Sequence, residues 1–277
     1  MTRLEYTFKN DTLFKAVFVK YQGLLKKLVA ALLGIRLESI GEFAVTNPEM
    51  PPEAVGDKFC RLDISMTIDG QRVGLEIQVR DEHDFPERSL FYWAREYSAA
   101  LGEGRAFIEL PKVIIISIVA FRLFDCAEFY SEYQALEVAR RTPLTDRMSL
   151  RYYELPKLPE GLEADKGLQL WLKLFDADTE EELEQIELLG VPDMTQAIKA
   201  YRQVAATDEF RSLERMRSDA RHNEASALGN ARREGAEQER EKWTAVVADL
   251  HDTVADKDAE NENLRKQLAE LQAALNM

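Results

Sequence analysis

Hydrophobic side chains near the N-terminus recur at three- and four-residue intervals, which is the spacing of one face of an α-helix. They predict an amphipathic helix over residues 10–34, which Asn10 or Asp11 would cap and Gly34 would end. Residues 47–56, NPEMPPEAVG, contain three prolines and no hydrophobic period, so we expect a loop there.

The hydrophobic period changes to two over residues 62–80, LDISMTIDGQRVGLEIQVR. Alternation of this kind on both sides of Asp69-Gly70 predicts a β-hairpin, because Asp-Gly is typical of two-residue hairpin turns. The expected core-facing positions are Leu62, Ile64, Met66 and Ile68 in the first strand and Val73, Leu75, Ile77 and Val79 in the second.

The residues downstream predict one more helix and two more strands. The helix covers residues 86–102 and starts at Pro86, a residue that suits the first helical turn. Residues 112–121, KVIIISIVAF, are apolar at almost every position, as in a central strand that is covered on both faces. Residues 149–155, SLRYYEL, predict another strand. This order of elements predicts an α/β fold with one mixed sheet flanked by helices.

The chain beyond about residue 160 has only helical patterns, and from Val247 its apolar residues fall into heptads. Position a holds Val247, Val254, Asn261, Leu268 and Leu275, and position d holds Leu250, Lys257, Leu264 and Leu271. An Asn at position a favours parallel pairs of helices, so we expect a homodimer through residues 247–275. Lys257 weakens the pattern locally, and a single solvated helix is the alternative. The predicted boundaries are an α/β domain at 1–158, a helical region at 159–230 and a C-terminal helix or coiled coil at 231–277.

The net charge of −14 argues against a protein that coats nucleic acid through bulk positive charge. The charge is uneven: residues 1–150 carry a net −3 and residues 151–277 a net −11, which leaves room for a local basic surface on the first part. The two cysteines, Cys60 and Cys126, are too few for a disulfide framework. Neither a signal peptide nor a membrane-length apolar run is visible, so a cytoplasmic protein is expected.

The polar face of the hairpin carries the candidate chemistry. A two-residue turn pairs residue i with residue 139 − i, which places Asp63 directly across from Glu76, whereas a four-residue loop would pair Asp63 with Gln78. Two carboxylates facing each other repel, and a divalent cation between them removes the conflict. Oxygen ligands suit Mg²⁺ or Mn²⁺, which can activate water for attack on a phosphodiester. A plain solvent-facing hairpin surface is the alternative reading.

The spacing of Asp63 and Glu76-Ile77-Gln78 resembles the Asp…(Asp/Glu)-x-Lys signature of PD-(D/E)XK nucleases. The wider sequence resembles one branch, the Rpn family of recombination-promoting nucleases and putative transposases. This resemblance rests on an ordered set of segments and covers roughly residues 8–230: NDTLFKAVF, RLDI, LEIQVR, RSLFYWAREYSAALGEG, VIIISIVAF and YYELPKL.

The resemblance implies a restriction-endonuclease-like core and assigns a role to several residues. It implies that Asp63 and Glu76 are catalytic metal ligands and that the backbone carbonyl of Ile77 is a further ligand. Gln78 stands where the superfamily has a catalytic lysine, as is usual in this branch. Glutamine offers only neutral hydrogen bonds, so either catalysis is slower or another residue provides the positive charge. Lys15, Lys58 and Arg88 are the candidate basic residues. Asp11, a candidate accessory acid, and Lys15 recur in the family's N-terminal motif, and an i,i+4 surface pair is the alternative. Arg88 and Tyr92 resemble the family's Arg-x-x-x-Tyr and could contact a phosphate, and an arginine stacked on the tyrosine is the alternative.

The expected function is therefore Mg²⁺- or Mn²⁺-dependent cleavage of DNA, in a dimer and with a role in recombination. The alternative is a catalytically weak, nuclease-derived DNA-binding or scaffolding protein that assembles through its coiled coil. The replacement of lysine by Gln78 and the acidic net charge favour this alternative, whereas the intact pair of Asp63 and Glu76 opposes it. Nothing in the sequence indicates the end recognition and strand transfer of a full transposase.

Overall fold

The structure, a computed structural model, describes residues 2–46, 62–102, 104 and 106–275. The predicted loop at 47–56, Cys60 and the candidate Lys58 lie outside these residues. The strands are β1 (Phe43–Val45), β2 (Ile64–Ile68), β3 (Gln71–Gln78), β4 (Val113–Val119), β5 (Tyr130–Tyr133) and β6 (Met148–Glu154). The helices are α1 (Asp11–Lys20), α2 (Gln22–Leu33), α3 (Phe85–Ser98), α4 (Gly167–Asp176), α5 (Glu180–Leu188), α6 (Pro192–Ala205) and α7 (Asp208–Leu275).

All six strands form one mixed sheet in the order β1-β2-β3-β4-β6-β5, which confirms the predicted α/β fold. β2 and β3 are the antiparallel hairpin, while β3, β4 and β6 run parallel to one another. The hairpin register pairs Ile64 with Leu75 and Ile68 with Gln71, so the turn has two residues. Both of them are left-handed, with φ of 47° at Asp69 and 76° at Gly70, as a type I′ turn requires.

The single helix predicted over residues 10–34 is wrong, because the chain breaks at Tyr21. Tyr21 has φ −110° and ψ 66°, and its backbone N–H still caps α1 by donating to the Val17 carbonyl. Its side-chain hydroxyl donates to Gln203 Oε1 on α6 at 2.9 Å. The buried faces of α1 and α2 continue the same three- and four-residue spacing across the break, which is why periodicity did not reveal it. Gly34 ends α2 with φ 70°, as predicted.

The two faces of the sheet are covered unequally. The face of Ile64, Leu75 and Ile116 packs in the larger hydrophobic cluster with residues of α1, α2, α4, α5 and α6. The opposite face, which includes Ile115, packs in a smaller cluster with residues of α3. Helices beyond residue 160 therefore share the main core with the N-terminal helices.

The placement of Leu62 on the same face as Ile64 was wrong. Leu62 lies in the smaller cluster, because the chain bends at Asp63 and β2 begins only at Ile64. Gly74 provides the space: a Cβ there would lie 2.3 Å from Leu62 Cδ1 and 2.9 Å from Ile115 Cδ1. Val79 lies beyond the end of β3 and is 47% exposed, so it does not extend the core face as predicted.

Glu154, the last residue of β6, and Lys157 form a buried ion pair. Lys157 Nζ lies 2.7 Å from Glu154 Oε2, and the two side chains are 2% and 0% exposed. Glu154 Oε1 also accepts hydrogen bonds from the backbone N–H groups of Leu123 and Phe124, at 2.6 and 3.2 Å. Lys157 donates to the Phe124 carbonyl at 2.7 Å. The pair therefore ties the segment after β4 to the end of β6.

The chain divides into two compact units, residues 1–214 and 215–277. The second unit is the remainder of α7, whose described side chains are exposed along nearly all of its length. Its exposed apolar residues include Val247, Leu250, Val254, Leu264, Leu268 and Leu271, all at predicted heptad positions a and d. No helix among the described residues is long and apolar enough to cross a membrane.

Candidate functional site

Hydrogen bonds connect Asp63, which directly precedes β2, to the part of β3 that carries Glu76. The hairpin ladder ends at the pair of Ile64 and Leu75, so Asp63 and Glu76 are the next residues along the two strands, and this register excludes the alternative pairing of Asp63 with Gln78. The Asp63 N–H donates to Glu76 Oε2 at 3.1 Å, and the Ile77 N–H donates to Asp63 Oδ2 at 2.8 Å. Each carboxylate therefore accepts a hydrogen bond from the backbone of the other segment.

The environment of Glu76 disfavours its ionised form. Its side chain is buried, with the residue 7% exposed, and this burial raises its pKa well above the ordinary value. The nearby charge of Asp63 raises the pKa further, as does that of Asp11 at the start of α1. The hydrogen bond from the Asp63 backbone and the positive charge of Arg88 act in the opposite direction. The structure therefore brings Asp11, Asp63, Glu76 and Arg88 into one electrostatic group.

The Ile77 carbonyl points towards the same side of β3 as Asp63. In this strand the Arg72 N–H donates to the Lys112 carbonyl just before β4, and the Gln78 carbonyl accepts from the Ala120 N–H just after β4. Even-numbered residues of β3 thus pair with β4, so odd-numbered residues direct their backbone groups towards β2. The N–H of Ile77 meets Asp63 there, and its carbonyl oxygen faces the same region.

Gln78 lies at the last position of β3 and is half-buried. Its side chain is on the same face of the strand as that of Glu76, because side chains alternate between the two faces and these residues are two positions apart. Its side-chain amide Nε2 donates to the Arg80 carbonyl at 2.7 Å. This bond turns the amide nitrogen towards the chain that follows β3.

Arg88 and Tyr92 lie one turn apart on α3, above this face of the sheet. The Arg88 guanidinium carbon is 4.9 Å from the centre of the Phe85 ring, and Nη1 donates to Glu82 Oε2 at 2.9 Å. Its Nε and Nη2 are buried without a hydrogen-bond partner among the described residues. Tyr92 is 5% exposed in the smaller cluster, and Lys15 is half-buried on α1, one turn after Asp11.

Ser117 is a polar group at the site that our sequence reasoning missed. It pairs with Glu76 across the parallel ladder, and on its other side it pairs with Tyr152 of β6. Ser117 is 1% exposed, and its Oγ has no hydrogen-bond partner within the described ranges. The signal was visible as the one polar residue inside the apolar run VIIISIV.

The oxygen atoms of Asp63, Glu76 and the Ile77 backbone fit a hard divalent cation. Asp63 and Glu76 offer carboxylate oxygens and Ile77 a carbonyl oxygen, the ligand types that Mg²⁺ and Mn²⁺ take. A cation between the carboxylates would also relieve the repulsion that raises the pKa of Glu76. Arg88, whose charge acts on Glu76, and Ser117, which pairs with Glu76, both have buried donors without a partner among the described residues. Among the described residues, no group of three or more His, Cys, Asp or Glu side chains is arranged to hold a metal.

Comparison with known proteins identifies the family of this chain. The family described as PD-(D/E)XK nuclease family transposase matches residues 8–231, which is most of the chain and includes the hairpin and α1 to α6. No curated protein matches the chain. No solved structure matches it either. The match covers the sheet, both carboxylates and the helices that pack on them, and the chain therefore belongs to the PD-(D/E)XK nuclease family transposases.

Proposed function

We propose that this protein is a metal-dependent endonuclease that hydrolyses phosphodiester bonds in DNA. The observation that carries the proposal is the reciprocal bonding of two facing carboxylates, Asp63 N–H to Glu76 and Ile77 N–H to Asp63. A bare hairpin would avoid such a pair, because one of the acids is buried and disfavoured as an anion. PD-(D/E)XK nucleases generally use divalent metals, and the acid pair matches that requirement.

Asp63, Glu76 and the Ile77 carbonyl would hold Mg²⁺ or Mn²⁺. When bound, the cation would supply a water of lowered pKa and stabilise negative charge on the phosphate. In the hydrolysis, the water oxygen forms a bond to phosphorus and the bond to one ester oxygen breaks. The water proton passes to solvent, and the departing ester oxygen takes a proton from solvent and leaves as a hydroxyl group. Gln78 contributes a neutral hydrogen bond at the edge of the site. Lys15, Arg88 and Tyr92 are the described candidates for contact with DNA phosphates.

A dimer is part of the proposal, because one active site per subunit can address each strand of a duplex. The support is α7, which keeps a seam of exposed apolar residues at heptad spacing from Val247 to Leu271. In a parallel pair, Asn261 would face its own copy, and Glu260 would lie beside Arg265 of the other helix, an attractive pairing. Strand breaks made by such an enzyme are substrates for recombination, which is the role we assign to it.

The test is nicking of supercoiled plasmid by the full chain in Mg²⁺ or Mn²⁺. We expect cleavage by the wild-type protein, loss of cleavage in EDTA, and loss of cleavage in Asp63→Asn. Asp125→Asn is the matched control, because it removes an exposed loop carboxylate by the same substitution and should cleave normally. Cleavage that persists in both EDTA and Asp63→Asn would refute the site. A wild-type protein that binds DNA without cutting it would favour the alternative of a nuclease-derived binding or scaffolding protein.

A further inference from the structure

Gln78 leaves the proposed active site without the lysine that the superfamily signature provides at that position. An amide cannot supply the positive charge that stabilises an attacked phosphate. One of its two amide N–H groups moreover already donates to the Arg80 carbonyl, at 2.7 Å. If the proposed function holds, a cation must reach the site from another element.

Arg88 has guanidinium donors that lack partners in its present surroundings. Its side chain is 20% exposed, and the buried Nε and Nη2 have no hydrogen-bond partner within the described part of the chain. Leaving charged donors unpaired in a buried place is costly, and an anion that accepted from both would remove this cost. Nη1 is anchored by Glu82, and the guanidinium lies against the Phe85 ring, so the remaining two donors are held in a fixed orientation.

The position of Arg88 is fixed by the packing of α3 on the face of the sheet that carries Glu76. Ser89, the next residue, is hydrogen-bonded to the Tyr152 hydroxyl. Tyr152 is paired across the strands with Ser117, and Ser117 is paired with Glu76. The hydrogen bond of Ser89 therefore holds the N-terminal part of α3 above Tyr152, Ser117 and Glu76, which lie side by side on neighbouring strands. The influence of the Arg88 charge on Glu76 agrees with this placement.

We propose that Arg88 supplies, from α3, the positive charge that a lysine at position 78 would supply from β3. In this assignment, Nε and Nη2 donate to oxygens of the scissile phosphate, with the planar fork that suits such an anion. Arg88 is then a catalytic residue, and its contribution grows as negative charge develops on the phosphate. The inference rests on the proposed nuclease function.

The experiment compares Arg88→Met with Arg95→Met in the full chain. Both changes remove one arginine from α3 and keep an unbranched side chain, but Arg95 is exposed and lies about two helical turns further along. We expect Arg88→Met to lower kcat for plasmid nicking by about 10²- to 10³-fold, the usual effect of losing one preorganised donor. Arg95→Met should cleave like the wild type. Binding of a short duplex, measured by fluorescence anisotropy in Ca²⁺, should weaken much less than kcat falls.

A rescue variant distinguishes catalysis from a structural role. Gln78→Lys introduced into Arg88→Met places a cation on β3 and should recover at least about tenfold in kcat if position 78 and Arg88 do equivalent work. The inference is overturned if Arg88→Met cleaves as well as Arg95→Met. It is also overturned if the whole loss is in duplex binding and Gln78→Lys recovers nothing. A wild-type protein that does not cleave would overturn the proposed function and this inference together, whereas the other two outcomes leave the nuclease function standing.

Discussion

Replacing Lys157 by methionine tests the energetics of the buried ion pair at the end of β6. The change keeps the length of the side chain but leaves the Glu154 carboxylate, which is 0% exposed, without its cation. Removing one partner of a buried pair typically costs about 3–5 kcal/mol of unfolding free energy. Glu154 would keep its hydrogen bonds from the N–H groups of Leu123 and Phe124. We therefore expect the low end of that range, about 3 kcal/mol.

The assay is urea unfolding followed by tryptophan fluorescence, since Trp171 is buried in the main core and reports on residues 1–214. The control is the double variant Glu154→Gln with Lys157→Met, which removes both charges while the glutamine can still accept the two backbone hydrogen bonds. We expect it to regain most of the loss, because uncharged replacements of a buried pair are often nearly neutral. The reasoning is refuted if Lys157→Met costs less than about 1 kcal/mol, or if the double variant is no more stable than the single one.

Three further predictions concern the site, the sheet and α7. In EDTA, Glu76 stabilises the folded protein fully below its ordinary pKa of 4.5 and progressively less as the pH rises through its raised folded-state pKa. Glu76→Gln should therefore be more stable than the wild type at neutral pH, with a smaller difference at pH 4.5, as measured by urea unfolding; equal stability at both pH values would contradict this. Gly74→Ala puts a Cβ 2.3 Å from Leu62 Cδ1 and should cost about 1–3 kcal/mol, which Leu62→Ala in the same chain should partly restore. Leu264→Asp at position d should halve the mass measured by light scattering, whereas Ala269→Asp at the outward position b should leave the dimer intact; a monomeric wild type would exclude the dimer.

The hairpin and the proximity of the two acids followed from sequence, where a local rule was strong, whereas the strand order of the sheet did not. Asp69-Gly70 predicted the turn, and the turn set the register that brings Asp63, one residue beyond the ladder, next to Glu76. The break at Tyr21 could not be predicted in this way, since the buried positions keep their spacing through it. The strands β1 and β5 are three and four residues long and lie at the two edges of the sheet, where alternation is too short to read.

The electrostatic part of the site depends on contacts between distant segments. Asp11 and Arg88 belong to helices far apart in sequence, and only the packing of α1 and α3 on the sheet brings their charges to bear on Glu76. Sequence spacing also could not predict that two nitrogens of Arg88 lack hydrogen-bond partners among the described residues, because this depends on which groups the folded chain places around them. Ser117, the one polar residue in the apolar strand β4, could have been identified from the sequence as a candidate site residue.

The unequal covering of the two sheet faces has a consequence for native-state opening. α3 is held by the smaller cluster, whereas α1 and α2 are embedded in the larger one. Segments with less buried apolar surface open at lower free energy than the global transition, so we expect the amides of α3 to exchange with solvent before those of α2. Such an opening would expose Asp63 and Glu76 and move Arg88 away from them, while the main core stayed folded. The proposed site would then be complete only while α3 stays packed on the sheet, which ties activity to the local stability of one helix.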